Sequence, residues 1–159
     1  MYQKMLHTLN KYPKMQQTIR VVNKISTLLL YSAYPIFIVY LLFRQDHRIY
    51  RALLTPAISF VLLSVFRSYM NAPRPYEKLD IIPIIDKDTA GNSFPSRHVF
   101  STFVIAATIY HVFPGIGLIL MFVGLILATM RVLGGVHFPR DVIAGALIGI
   151  LSAWLGFYL

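Results

Sequence analysis

At 159 residues, with 57% hydrophobic and only 13% charged residues and a mean hydropathy of +0.63, the chain is far too apolar for an ordinary soluble domain, which carries roughly 25% charged residues. Its formal charge of +9 does not indicate nucleic acid, because Lys and Arg stand at segment ends instead of gathering on one basic, aromatic-interleaved surface; membrane lipids or an anionic substrate account for the balance better. With no cysteine, the chain can have no disulfide, thiolate nucleophile or cysteine-ligated metal.

Residues 1–24 are basic and are interrupted by Pro13, which reads as a break in the segment. Met5, Leu6, Leu9 and Tyr12 share one helical face, with Lys4, Lys11 and Lys14 nearby, which predicts a short interfacial helix. A disordered basic tail is the alternative. The segment lacks the apolar core and small-residue cleavage site of a signal peptide, and it is read apart from a membrane domain over 25–159.

Residues 25–43 run for 19 positions without a charge, a helix of about 28 Å and close to the hydrocarbon thickness of a bilayer. After a charged turn at 44–51 comes a shorter apolar stretch, 52–66, with Tyr50 and Tyr69 as interfacial anchors. Residues 67–97 form the one long polar segment, rich in proline, and its apolar portion 79–85 could dip into the interface or act as a flap.

Residues 99–113 and 116–130 are the third and fourth spans, antiparallel neighbours across the tight Pro114-Gly115 turn. A short loop carrying Gly134-Gly135 and Pro139 leads to the fifth span, 142–159, along which Gly145, Gly149 and Ala153 recur every four residues. That stripe predicts close helix packing. The fold expected is therefore an all-α integral membrane helical bundle, of about five transmembrane helices plus the N-terminal interfacial helix. With alternating spans, the loops at 67–97 and 131–140 fall on one side.

Three polar clusters stand at the mouths of these spans. Arg67 and Arg74 could clamp a phosphate through forked hydrogen bonds, or simply anchor a helix end at the interface. Pro95-Ser96-Arg97-His98 opens the third span: Ser96 suits an N-cap beside free backbone N–H groups, and His98 could exchange a proton with an anion there. Arg131, His137 and Asp141 are the sharpest cluster. Asp141, four residues after His137, could fix the tautomer and leave the other ring nitrogen free as a nucleophile, although an Arg131–Asp141 ion pair is the plainer possibility. Two histidines and one aspartate could in principle bind a metal, but the surrounding arginines would repel a cation, so neither metal nor cofactor is expected.

In order and spacing these residues resemble the three-part signature KxxxxxxRP, PSGH, SRxxxxxHxxxD of the type 2 phosphatidic acid phosphatases, the lipid phosphate phosphatases related to vanadium haloperoxidases. Three positions depart from it: Arg67 stands for the lysine, Arg97 for the glycine and Met130 for the serine. The resemblance implies a metal-independent membrane hydrolase in which His137 attacks phosphorus, Asp141 orients it and His98 protonates the leaving oxygen. Arg67, Arg74, Ser96, Arg97 and Arg131 would hold the phosphate. It also implies a bacterial-type lipid substrate: undecaprenyl diphosphate is favoured over phosphatidylglycerophosphate or phosphatidic acid, because a compact site leaves little room for a large headgroup. A lipid-phosphate binder or transporter would keep the arginines without needing a His137–Asp141 pair. The resemblance places the catalytic face outside the cytoplasm, whereas the five Lys/Arg of the N-terminal tail argue for the cytoplasmic side. Oligomeric state is not legible.

Overall fold

The computed structural model describes residues 2–79, 81–86 and 89–159, and among them it contains seven helices and no strand. Helix α1 spans Tyr2–Leu9, α2 Pro13–Phe43, α3 Ile49–Met70, α4 Pro75–Lys78, α5 Arg97–Tyr110, α6 Pro114–Leu133 and α7 Pro139–Tyr158. Proline opens four of them. The first helical position has no intrahelical partner for its N–H, so the ring costs nothing there and presets φ. Pro13 is thus a start rather than an interruption, and residues 13–24 belong to the same helix as the first span.

Four helices are long and apolar enough to cross a membrane: α2, α3, α6 and α7. Their outward faces carry Leu28, Ile36, Leu62, Ile119 and Leu151, each more than half exposed, as lipid-facing positions must be. The chain is a multi-pass membrane protein. The fifth expected span is α5, which differs in kind. Its 14 residues reach only about 21 Å, short of the ~30 Å hydrocarbon core. Every residue from Val99 to Ile109 is buried, so α5 meets protein on all sides and need not match the bilayer.

Helices α5 and α7 run parallel in close contact. A Cβ on Gly145 would stand 2.7 Å from Ser96 O, and one on Gly149 would stand 2.7 Å from Phe100 O. Only a missing side chain lets the two backbones approach so far. At the far end His111 stacks on Phe157, with ring centroids 4.4 Å apart, while Arg51 donates to the Phe157 carbonyl. Helix α6 returns antiparallel, with Gly117 against Tyr110 and Gly124 against Thr102. Both polar loops therefore lie at one end of the bundle, as alternating spans require.

Helix α1 forms at the predicted place. Leu6 and Leu9 are buried against Ile84, Ile85 and Val136, so its apolar face rests on the loops of the polar end. Asn10 Nδ2 donates to Ile82 O (3.0 Å) and Arg20 Nε to Ile84 O (2.7 Å). The basic N-terminal residues consequently share the end that carries the polar clusters. Of the apolar segment 79–85, Asp80 lies outside the described residues; Ile84 and Ile85 are buried in the protein, and both N–H groups donate to Gly134 O.

Candidate active site

Three chain segments meet above the start of α5. Arg67 ends α3, is 6% exposed, and donates from its two terminal nitrogens to the carbonyls of Asn92 and Pro95. Arg74, 4% exposed, donates from Nε to Gly91 O (2.9 Å) and from Nη1 to Val136 O (3.2 Å). Backbone carbonyls thus orient both guanidinium groups without neutralising them. The Glu77 carboxylate accepts from the N–H groups of Arg74 (2.7 Å) and Gly91 (2.9 Å), pinning the two loop ends together. Gly91 has φ +65°, and a Cβ there would fall 2.2 Å from Asn71 Oδ1.

Ser96 occupies the N-cap position of α5, but its buried hydroxyl makes no hydrogen bond among the described residues. Its backbone N–H donates to Asp141 O (2.8 Å), tying the mouth of α5 to that of α7. Arg97 projects outward over the Phe60 ring, 5.6 Å from its centroid. His98 is half-buried beside it. Arg131 closes α6 and is buried, with Nε left without a hydrogen-bond partner among the described residues.

His137 and Asp141 are buried together. Asp141 Oδ2 stands 3.6 Å from His137 Nδ1, just beyond a formed hydrogen bond, and accepts from Ser93 Oγ (2.6 Å) and Phe138 N (3.0 Å). The carboxylate lies in the first turn of α7, where the helix dipole also favours negative charge. An Arg131–Asp141 ion pair is not formed among the described contacts; Asp141 Oδ1 instead lies 3.5 Å from Arg140 Nε. Burial, reinforced by the charges of Arg74 and Arg131 and opposed by Asp141, pushes the His137 pKa down to about 4. The imidazole is neutral at pH 7. With Nδ1 turned to Asp141, its Nε2 lone pair is left for the pocket.

Arg67, Arg74, Arg97, His98, Arg131 and His137 line one narrow pocket. Four guanidinium groups and two imidazoles, with no carboxylate among the described lining residues, give the wall a chemistry suited to an anion. Among the described residues no three His, Asp or Glu side chains come together as metal ligands. Six of the eight residues singled out from the sequence form the wall; Asp141 and Ser96 stand behind it. Sequence reasoning missed Ser93, Glu77 and Tyr2. The Tyr2 hydroxyl sits 2.8 Å from Val132 O and 3.2 Å from His137 O, bracing the loop that carries the histidine from 135 residues away. No local pattern marks Tyr2 or Glu77. Ser93, two positions before the Pro95 motif, has at least its neighbourhood as a signal.

Residues 48–159 match the model of the PAP2 superfamily. The chain belongs to that superfamily. It is 31% identical over 105 residues to the bacitracin transport permease protein BcrC of Bacillus licheniformis, a match covering 64% of this chain and 52% of that one, so the chain spans about half the length of this curated relative. The fold is similar to that of Aquifex aeolicus LpxE, with TM-score 0.76, 24% identity and coverage of 98% of this chain and 94% of the other. It is also similar to the first transmembrane PAP2-type phosphatidylglycerolphosphate phosphatase from Bacillus subtilis, with TM-score 0.74, 20% identity and coverage of 98% and 82%. Both likenesses are of fold, and both run along almost the whole length of this chain.

Proposed function

We propose that this PAP2 protein is a metal-independent lipid phosphatase acting on a polyprenyl diphosphate such as undecaprenyl diphosphate. The observation that carries the reading is the buried His137–Asp141 pair facing an arginine-lined pocket: a neutral, oriented imidazole beside an anion site is a nucleophile in waiting. His137 Nε2 attacks the outer phosphorus, and the bridging P–O bond breaks with its electron pair leaving on the lipid monophosphate. His98 supplies a proton to the leaving oxygen. Arg67, Arg74 and Arg131 balance charge on the phosphoryl oxygens as it develops, while Ser96, behind the wall, ties the start of α5 to Asp141. Water activated by His98 then cleaves the P–N bond, releasing inorganic phosphate and restoring His137. Phosphatidylglycerophosphate and phosphatidic acid are the alternative substrates, and the narrowness of the pocket favours a substrate with no bulky headgroup next to phosphorus.

A transport role has one observation in its favour, the permease name of the Bacillus licheniformis relative. A carrier needs the arginines but not a buried carboxylate behind a histidine, and this is why the hydrolase is preferred. The deciding experiment is phosphate release by the purified protein from undecaprenyl diphosphate, phosphatidylglycerophosphate and phosphatidic acid in EDTA, with and without vanadate. Turnover that persists in EDTA and falls with vanadate, a mimic of the five-coordinate transition state, is expected; binding without release would establish the carrier.

The catalytic face is proposed to lie outside the cytoplasm, against the positive charge of the N-terminal residues. Because the chain has no cysteine, Ala90→Cys in the exposed polar loop gives a single label site. Labelling of intact cells by a membrane-impermeant maleimide supports the outward face, and labelling only after lysis reverses it.

A further inference from the structure

Beside the pocket at His137 lies a second cavity of about 220 Å³ that the reaction there does not use. Arg67, Arg74 and Arg97 line both, so the two are joined through a common wall of guanidinium groups. The second cavity adds Ser64, Ser68 and Asn92 and has no carboxylate among its described lining residues. We propose that it is a second anion subsite, which holds the inner phosphate of a diphosphate while the outer phosphate sits at His137. The proposal rests on the phosphatase reading and narrows it to diphosphates.

Arg97 is the residue that makes the difference. Arg67 and Arg74 are each committed to two backbone carbonyls, whereas the Arg97 side chain makes no hydrogen bond to another described residue and is exposed. Among the described residues its guanidinium is steadied by the Phe60 face beneath it, which leaves its five N–H donors for a ligand. A phosphate monoester fills the site at His137 and leaves Arg97 facing a neutral ester or glycerol. A diphosphate brings a second charged group one bridging oxygen away. Phe60 also lines an apolar groove of about 230 Å³ with Tyr34, Pro56 and Val104. Outer phosphate, inner phosphate and hydrocarbon chain would thus meet His137, Arg97 and Phe60 in succession, the order in which a prenyl diphosphate presents them.

Two measurements on the purified protein in detergent test this. In the first, kcat/KM is compared for farnesyl diphosphate and farnesyl monophosphate in the wild type, Arg97→Gln, Arg97→Lys and Ser68→Ala. Arg97→Gln should lower the diphosphate-to-monophosphate ratio by about tenfold, chiefly through KM, because one charge-assisted contact is lost; Arg97→Lys should recover part of it, and Ser68→Ala should lower the ratio less. In the second, calorimetric binding of methylenediphosphonate and methylphosphonate, which cannot be cleaved at the P–C bond, should show a diphosphonate preference that Arg97→Gln abolishes. A ratio unchanged by Arg97→Gln, or equal binding of the two phosphonates by the wild type, overturns the subsite. A wild type that prefers the diphosphonate yet releases no phosphate from either farnesyl substrate overturns the phosphatase reading and leaves the subsite standing.

Discussion

Ser93 Oγ lies 2.6 Å from Asp141 Oδ2 and 3.5 Å from His137 Nδ1, so one hydroxyl touches both members of the buried pair. Its O–H donates to the carboxylate, which Phe138 N–H also holds, and it stands beside the ring nitrogen on the side away from the pocket. The carboxylate oxygen that faces His137 Nδ1 is thus fixed in place by two donors of its own.

Removing that hydroxyl leaves a buried carboxylate oxygen short of a donor. A hydrogen bond to a charged group is worth about 1.5–3 kcal/mol, so Ser93→Ala should lower kcat by on the order of ten- to a hundredfold. KM should change little, since the hydroxyl does not reach the pocket. Ser93→Thr restores the donor and should recover most of the loss. A KM effect at unchanged kcat would assign Ser93 to substrate binding instead.

The depressed pKa of His137 has consequences for pH dependence. Its folded value of about 4 lies below the 6.5 of an unperturbed imidazole. The proposed nucleophile therefore stays neutral until pH falls through about 4, and the acid limb of kcat/KM assigned to it should lie near 4 instead of near 6.5. For stability the sign is the same. Below pH 6.5 the unfolded chain binds a proton that the folded site refuses, so stability is greatest above 6.5 and declines as pH falls toward 4, by roughly 3 kcal/mol for a shift of this size. Thermal unfolding between pH 4 and 7 checks this: the wild type should lose stability steadily as pH falls, and His137→Gln, which lacks the titrating group, should lose less. Parallel profiles for the two would mean that the folded site does not resist protonation.

The two histidines are expected to separate by leaving group. A lipid alkoxide needs a proton badly, whereas a nitrophenolate needs one less. His98→Ala should therefore lose far more kcat on phosphatidic acid than on p-nitrophenyl phosphate, while His137→Ala should be inactive on both. Equal losses in all four measurements would mean the roles are misassigned.

Much of this site is legible in the amino-acid sequence, because its chemistry is local along the chain. His137 and Asp141 are four residues apart, and the helix start at Pro139 brings them together within one turn. The arginines stand at the ends of apolar runs, and alternating spans put those ends on one side. Ser93 reaches Asp141 across 48 positions and Tyr2 reaches His137 across 135, and only tertiary packing makes such pairs. Hydropathy alone also misjudges the character of α5, since an apolar run faces lipid or protein with the same residues. The apolar face of α1 reads as membrane-seeking because Ile84 and Val136, the partners of Leu6, lie more than 70 residues downstream. Pro13 reads as a break because its effect depends on its position within a helix, which the local pattern does not disclose.

Gly145 offers a test of how packing sets the site. It faces Ser96 O, and the Ser96 N–H donates to Asp141 O at the same contact. A methyl group there would lie 2.7 Å from that carbonyl and 3.2 Å from Phe100 N, and neither backbone atom can rotate aside. Gly145→Ala must therefore push α7 away from the start of α5, lengthening the Ser96–Asp141 bond and moving Asp141 relative to the pocket. Overpacking of this kind costs about 1–3 kcal/mol, and a shift near 1 Å in a catalytic group can cost on the order of a hundredfold in rate. Gly149→Ala meets Phe100 O at the same 2.7 Å but lies one turn further from the site. The two variants should lose comparable thermal stability in detergent, while Gly145→Ala loses much more kcat. Equal kcat in the two would show that Asp141 is positioned by Ser93 and Phe138 alone and not by the contact between α5 and α7.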